Sequence, residues 1–415
     1  MRAALPQVPG AARLRRTAGL GAEAVRRARN AVAAGGFAER AEQNGLVPNA
    51  AVAVYFCTGP ENLFQLEQWR RPLEHLARTR PVFVVVDQPD TGAALLERST
   101  LPVAFAQGSG ALERLVEERD VRVVLYVNQV ERNFRMLRFP APVHVQLGHG
   151  ESDKAYSVSN QHKAYDLTFV GGRAGQERLG AALRGFDADV RTVGVGRPQL
   201  DHDYPGAPDW SRESGVRVWY APTWEGDRPS VAYGSLVSHG VELVEALVAD
   251  PRVRVVYRPH PRTGLSSRRH EEADRAVRAV LARDGDRHGA RHLVDTGAYG
   301  WQWAFADACV TDLSSVAYDW LATGKPLVVT EPTSSDVYRP ASRLLDELPL
   351  LPAGASGSVL EVLRARGLGA DPQGGSPSDP LLDDLSGYYF GETAAGASTR
   401  RFEAAVEAAW TLAST

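Results

Sequence analysis

The chain has 415 residues, of which 44% are hydrophobic, so it is long enough for two or three domains with sizeable cores. Its formal net charge of −3 argues against a general nucleic-acid-binding protein, and we predict no nucleic-acid partner. No apolar run approaches the roughly 18 residues of a membrane-spanning helix. Cys57 and Cys309 lie in apolar, strand-like runs, which predicts buried thiols and a reducing compartment instead of a disulfide framework.

Residues 1–49 differ in composition from the rest of the chain. The first forty hold eight arginines against two glutamates, and Phe37 is the only aromatic residue. They lack the apolar central region of a secretory signal. Because basic segments are attracted to anionic lipid, we predict an arginine-rich arm that associates with a membrane surface. The alternative is a solvated arm with no partner.

From residue 50 onward, strand-like runs alternate with helix-like stretches. An amphipathic pattern predicts a helix over 61–80. Apolar and β-branched runs predict strands at 51–57, 82–86, 103–106, 121–127, 143–147, 167–170 and 191–195. This alternation is typical of a parallel, doubly wound sheet. We therefore predict a first Rossmann-like domain over 50–196.

A second α/β half follows a stretch rich in Gly, Pro and Asp at 196–210, which we interpret as the interdomain connection. Strands are predicted at 216–220, 253–257, 308–311 and 327–330, and helices at 235–249, 271–283, 315–323, 359–366 and 399–412. We predict a second Rossmann-like domain over 211–395. Ligands of such sheets bind beyond the carboxyl ends of strands. Each of four residues follows a predicted strand, so we expect them to converge on one site: His149, Trp224, His260 and Ser314.

The stretch from Asp307 to Pro332 predicts a strand, a loop, a helix ending near Gly324, and a second strand. Asp312, Ser314 and Ser315 stand at the start of the helix. Unpaired backbone N–H groups and a partial positive charge there can hold a phosphate or pyrophosphate without a lysine. The alternative is that these side chains only cap the helix.

Four motifs, in order over 143–332, resemble the CDP-glycerol glycerophosphotransferase family of teichoic-acid primases and polymerases. They are Leu147-Gly148-His149-Gly150 with Lys154, Tyr220-Ala221-Pro222-Thr223-Trp224, Arg258-Pro259-His260-Pro261, and Thr311-Asp312-Leu313-Ser314-Ser315 with the helix ending Gly324-Lys325-Pro326. The resemblance implies a GT-B fold, in which two Rossmann-like domains face a central cleft. It also implies that a C-terminal helix, within 396–415, returns toward the first domain.

The implied reaction transfers glycerol phosphate from CDP-glycerol to a hydroxyl acceptor and releases CMP. The acceptor would be a teichoic acid, a related cell-wall or capsule polymer, or its lipid-linked primer. His149 is the candidate base, since histidine titrates near neutral pH and the flanking glycines let substrate approach. His260, stiffened between two prolines, would bind a phosphate oxygen or protonate the leaving group. The family usually has a tryptophan where Gly148 stands, which puts local packing in doubt.

The remaining candidate residues would bind substrate. Arg258 would grip phosphate, with pairing to a nearby carboxylate as the alternative. Lys154 would neutralise phosphate charge, or be a solvated surface lysine. Asp312 is expected to orient its loop more than touch the ligand, because a carboxylate repels phosphate. The full set of predicted substrate-binding residues is Gly150, Lys154, Thr223, Arg258, Thr311, Asp312, Ser314 and Ser315.

We predict no cofactor and no metal site. Glu151 and Asp153 form the carboxylate pair nearest to a motif, and such a pair could hold a divalent ion. The favoured interpretation is a solvated loop in which Asp153 lies near Lys154. The histidines, Arg258 and the helix start could stabilise the phosphates unaided.

Two other functions fit the same sequence. The first is a GT-B glycosyltransferase that uses a nucleotide sugar, since fold alone does not decide the reaction; a close relative of the main hypothesis would use CDP-ribitol or another polyol. The second is a non-enzymatic membrane-surface protein on a degenerate transferase scaffold. The main hypothesis places the protein in the cytoplasm, peripheral to the inner face of the cell membrane.

Overall fold

A computed structural model describes residue 36 and residues 47–153, 158–210, 215–289, 291–297, 299–339, 341–369 and 379–414. Nearly all of the predicted arginine-rich arm, and the candidate site residue Lys154, lie outside the described residues. The chain divides into two compact units. The first comprises Met1–His144 with Ala413–Thr415, and the second comprises Val145–Leu412.

The first unit alternates strands and helices along the chain. Its strands are β1 (Val52–Phe56), β2 (Val82–Val86), β3 (Val103–Phe105) and β4 (Val123–Tyr126). Its helices are α1 (Leu63–Leu76), α2 (Pro89–Leu96), α3 (Ser109–Glu118) and the short α4 (Phe134–Leu137). Strands β1, β2 and β4 are buried along their whole length, as expected for a parallel sheet covered on both faces.

The second unit holds the rest of β5 (Val143–Gln146), within which the division falls, and seven further strands. These are β6 (Leu167–Val170), β7 (Thr192–Gly194), β8 (Val216–Ala221), β9 (Val253–Tyr257), β10 (Leu293–Val294), β11 (Ala308–Thr311) and β12 (Leu327–Val329). Its helices up to the last motif are α5 (Arg173–Ala182), α6 (Ala188–Arg191), α7 (Gly240–Val248), α8 (Arg268–His288), α9 (Trp301–Phe305) and α10 (Ser315–Leu321). They are followed by α11 (Arg343–Glu347), α12 (Val359–Ala365), α13 (Pro380–Phe390) and α14 (Ala397–Leu412).

Two sheets result. One has the order β3-β2-β1-β4-β5-β6-β7, and the other has the order β10-β9-β8-β11-β12. In the second sheet the chain runs outward from β8 to β10 and then returns to place β11 on the other side of β8. The strand order therefore reverses between β8 and β11. Ligands of open α/β sheets bind at such a switch point, beyond the carboxyl ends of the strands.

The second sheet is buried on both faces. One face packs a cluster rich in aromatic side chains, including Trp219, Trp303 and Trp320. The other face packs aliphatic side chains around Val218 and Val310. Because neighbouring residues of a strand point to opposite faces, Val218 and Trp219 contribute to different clusters.

The predicted strands are confirmed within one or two residues at each end, because each was a short run rich in apolar and β-branched residues. Elements of the second unit for which no residue range was predicted include the two-residue strand β10 and the helices α5, α6, α9, α11 and α13. Both cysteines are buried free thiols, as predicted. Within the described part of the chain, no helix is both long enough and apolar enough to cross a bilayer.

Candidate functional site

Three motif loops leave the second sheet at one edge. Strand register pairs Thr311 with Ala221, and Tyr220 with Tyr257. The segments that begin at Asp312, Pro222 and Arg258 therefore start side by side at the carboxyl ends of β11, β8 and β9. All the described candidate residues belong to the second compact unit.

The buried carboxylate of Asp312 joins three segments. Its Oδ2 accepts the backbone N–H groups of Thr223 at 2.7 Å and Ser235 at 3.2 Å, and its Oδ1 accepts the hydroxyl of Thr330 at 2.6 Å. Burial raises the pKa of this carboxyl group, although its hydrogen bonds act in the opposite direction. The contacts fit a role in orienting the loop that carries Thr223.

Two serines, Ser314 and Ser315, stand at the start of α10. Ser314 is the N-cap residue, with an extended backbone, but its side chain makes no capping hydrogen bond. Its Oγ lies 3.3 Å from Oγ1 of Thr311, which donates to the carbonyl oxygen of Ala221 at 2.7 Å. Ser315, the first helical residue, is half-buried. The two predicted binding residues Thr311 and Ser314 are therefore in contact, beside the end of β8.

The loop after β5 carries His149 to the start of α10. Gly148 has a φ of +67°, a conformation that a tryptophan would rarely adopt, which accounts for glycine at this position. His149 is half-buried. A Cβ atom on Gly150 would lie 2.8 Å from Cβ of Ser315 and 3.3 Å from its Oγ. The backbone beside the candidate base therefore lies directly against the first residue of α10.

We expect Gly150→Ala to destabilise the protein by about 1–3 kcal/mol, because the added methyl group has no room. Ser315→Gly removes the opposing Cβ atom. In that background, Gly150→Ala should therefore lower the free energy of unfolding much less. Urea unfolding of the four proteins in this double-mutant cycle measures the coupling. Equal costs in the two backgrounds would show that the loop does not lie against α10.

The His260 ring is held by its own loop and by Trp224. Its Nδ1 accepts the backbone N–H of Arg262 at 3.1 Å, so the neutral ring carries its proton on Nε2. The ring stacks on Trp224 with centroids 6.2 Å apart and an interplanar angle of 26°, and the guanidinium of Arg262 lies 3.8 Å from the centroid of Trp224. His260 also donates its backbone N–H to the carbonyl of Pro222. Two motif loops thus support one histidine whose Nε2 is a hydrogen-bond donor.

Arg258 is engaged by a carboxylate. Its Nη1 lies 2.6 Å from Oδ2 of Asp295, and its Nη2 donates to the carbonyl of Gly297 at 3.0 Å. Gln302 donates to the same Asp295 oxygen at 2.6 Å. These contacts favour the alternative in which Arg258 is structural, and the phosphate-binding role of Arg258 stays a prediction.

The carboxylates after His149 are buried, not solvated. Glu151 and Asp153 are 8% and 7% exposed, and both form ion pairs with Arg178 of α5. Among the described residues, no group of three His, Cys, Asp or Glu side chains could hold a metal ion. The prediction of a solvated loop is therefore wrong, because Glu151 and Asp153 are buried and pair with Arg178, which the sequence did not single out.

Other missed residues support the motif loops from elsewhere in the chain. Glu225 accepts the backbone N–H groups of Gly264 and Ser266, and so ties the Trp224 loop to the segment after His260. Asp319 of α10 is fully buried and pairs with Arg197 at 2.8 Å. Burial and the nearby charge of Glu151 raise the pKa of Asp319 to about 6, against the opposing effect of Arg197. No local pattern marks these residues, because each partner lies far away in sequence.

A series of contacts links most of the described candidate residues, one to the next. The His149 loop lies against Ser315, Ser314 contacts Thr311, and Thr311 bonds to Ala221 at the base of the loop that carries Thr223 and Trp224. Trp224 stacks on His260. Arg258 leaves β9 at the same edge, with its guanidinium turned to Asp295. These contacts link the candidate residues along one edge of the sheet, and the binding of one ligand by all of them stays a prediction.

Comparison with known proteins supports the resemblance to CDP-glycerol glycerophosphotransferases that the motifs indicate. Residues 210–345 match the family model described as CDP-Glycerol:Poly(glycerophosphate) glycerophosphotransferase. No curated protein sequence matches the chain.

Solved structures show the fold. The wall teichoic acid polymerase TagF is similar with a TM-score of 0.52 and 12% identity, over 89% of this chain and 91% of that chain. A TagF variant soaked with CDPG gives a TM-score of 0.55 and 12% identity, over 95% and 98% of the two chains. A putative UDP-N-acetylglucosamine 2-epimerase from Listeria monocytogenes gives a TM-score of 0.56 and 13% identity, over 88% and 97%.

These likenesses confirm the predicted GT-B class with two Rossmann-like domains. The matched segment contains three of the four motifs, those around Trp224, His260 and Ser314. Residues 210–345 are therefore similar to the CDP-glycerol glycerophosphotransferase family, which the motifs of this segment also indicate.

Proposed function

We propose that the protein transfers glycerol phosphate from CDP-glycerol to a hydroxyl group of a teichoic-acid-type acceptor and releases CMP. The observation that carries this proposal is the family match over 210–345, whose motifs form the carboxyl edge of the second sheet. The similarity to a polymerase that was soaked with CDPG supports the same donor.

The reaction forms a bond between the acceptor oxygen and the phosphorus that carries glycerol, and breaks the bond from that phosphorus to the oxygen of CMP. His149 takes the proton of the acceptor hydroxyl, since a positioned histidine is an effective base near neutral pH. The base lies in the loop that contacts Ser315, so the attacking oxygen approaches at the start of α10.

The diphosphate is held by the start of α10 and by His260. The hydroxyls of Ser314 and Ser315 and the first backbone N–H groups of the helix donate to phosphate oxygens. His260 donates from Nε2 to the phosphate that leaves with CMP, which stabilises the charge that develops there. Asp312 serves these groups indirectly, because it fixes the loop after β8 against the loop after β11.

Three residues have more distant roles in this proposal. Thr223, held by Asp312, borders the donor site through its side chain. Arg258 contributes positive charge near the phosphates while it remains paired with Asp295. Lys154, five residues after His149, neutralises charge on the donor or acceptor phosphate.

The acceptor is a lipid-linked primer or a polyol-phosphate polymer, and the enzyme works in the cytoplasm at the inner face of the membrane. The support for this location is the arginine-rich arm, since each basic residue near an anionic surface contributes about 1 kcal/mol of attraction.

Incubation of the enzyme with CDP-glycerol and a lipid-linked teichoic-type acceptor tests the function. We expect CMP and a new phosphodiester in equal amounts. Parallel reactions with CDP-ribitol and with UDP-sugars test the donor. Release of UDP from a UDP-sugar, with CDP-glycerol inert, would contradict the proposal and favour the glycosyltransferase alternative.

A further inference from the structure

A largely buried arginine holds the segment that follows His149. The guanidinium of Arg178 projects from α5 and donates through Nη2 to Oε1 of Glu151 and through Nη1 to Oδ1 of Asp153. The Arg178 side chain is 17% exposed, and those of its partners are 8% and 7% exposed. One guanidinium fork thus joins two carboxylates that stand two and four residues after His149.

Each carboxylate also has a second partner. Oε2 of Glu151 accepts the backbone N–H of Gly171 at 3.3 Å. Oδ2 of Asp153 accepts the hydroxyls of Ser342 at 2.5 Å and Tyr389 at 2.6 Å. The segment is therefore bonded to α5, to the loop before it, to the N-cap of α11, and to α13.

The space around this segment leaves it little freedom. A Cβ on Gly171 would lie 3.0 Å from Oε2 of Glu151, and a Cβ on Gly175 would lie 3.5 Å from the same oxygen. Gly150, directly after His149, lies against Ser315. The candidate base is thus followed first by a backbone contact with α10 and then by the two carboxylates that Arg178 holds.

We propose that Arg178 is a positioning residue, which sets His149 against the first turn of α10 by holding Glu151 and Asp153 together. The inference rests on the proposed function of His149 as the base. Without Arg178 the two carboxylates would be buried near each other without the guanidinium that pairs with both, and their repulsion would move the loop. A lysine is a poor replacement, because a single ammonium cannot reproduce the planar fork that bonds both carboxylates.

Arg178→Met and Arg178→Lys test the inference, with Arg173→Met as the matched control. Arg173 lies on the same helix and pairs with Glu177 at the surface, where the two side chains are 74% and 47% exposed. We expect Arg178→Met to lower kcat for CMP release by about 30- to 100-fold, because small displacements of a catalytic group cost up to that much. The KM for CDP-glycerol should change less than threefold. The kcat of Arg178→Lys should lie between those of Arg178→Met and the wild type, and the kcat of Arg173→Met should equal that of the wild type.

A second measurement is independent of activity. Diethyl pyrocarbonate labels accessible histidines, and mass spectrometry gives the labelling rate of His149. We expect Arg178→Met to change this rate at least threefold, with no change in Arg173→Met. Unaltered labelling, or a kcat per folded molecule equal to that of the wild type, would overturn the inference. If the wild type releases no CMP, the proposed function fails, while the labelling still decides whether Arg178 positions the His149 loop.

Discussion

His149→Ala is expected to lower the rate of CMP release from CDP-glycerol by about 10²- to 10⁴-fold, the range for loss of a general base. His149 is half-buried, and the segment that directly follows it is held by Ser315 through Gly150 and by Arg178 through its carboxylate partners. Removal of the ring therefore leaves the loop in place while the proton acceptor is lost. The KM for CDP-glycerol should change little, because the donor is held by other groups.

His288→Ala is the control for this prediction. His288 is an exposed histidine in the last turn of α8, where it pairs weakly with Asp284 at 3.8 Å. The control should retain wild-type turnover. A His149→Ala protein with the same turnover and the same pH profile as the wild type would exclude His149 as the base.

His260→Asn is expected to lower CMP release by about 10²- to 10³-fold, the cost of removing one donor that stabilises charge in the transition state. Asparagine can place an oxygen where Nδ1 stands, so the hydrogen bond from the N–H of Arg262 is kept. It cannot reach the position of Nε2. The variant thus separates the loop contact from the donor function.

His260→Gln provides the complementary comparison. Its longer side chain can bring an amide N–H toward the Nε2 position, so we expect it to retain more activity than His260→Asn. Steady-state CMP release measures the activity of both variants, and thermal unfolding shows whether both are folded. If the two variants are equally active and close to the wild type, His260 has no donor role at the leaving phosphate.

The sheet architecture could be predicted from the sequence because it depends on local patterns. Strands β1 and β2 are apolar runs that stay buried, and the alternation of such runs with amphipathic stretches specifies a doubly wound sheet. The position of the candidate site at the carboxyl ends of the strands could be predicted in the same way, since polar motif residues come directly after strands. The short helix α9 and strand β10 gave no such signal, because five residues or fewer show no periodicity.

The supporting ion pairs and hydrogen bonds could not be predicted, since their partners are distant in sequence. Asp153 and Ser342 are 189 positions apart, and Arg197 and Asp319 are 122 apart. Sequence alone also misjudged Glu151 and Asp153, which resemble a solvated acidic loop until Arg178 is seen between them. Burial of charged groups requires such pairing, but a single sequence does not say which arginine supplies it.

The central claim is that His149, His260 and the start of α10 surround one diphosphate. A crystal structure of the inactive His149→Ala variant with CDP-glycerol tests it most directly. We predict that the diphosphate oxygens lie within hydrogen-bonding distance, about 2.7–3.2 Å, of Nε2 of His260 and of the hydroxyl or backbone groups of Ser314 and Ser315. We also predict that the vacated position of the imidazole faces the phosphorus that carries glycerol. A nucleotide bound with its diphosphate away from α10 and His260 would contradict the account.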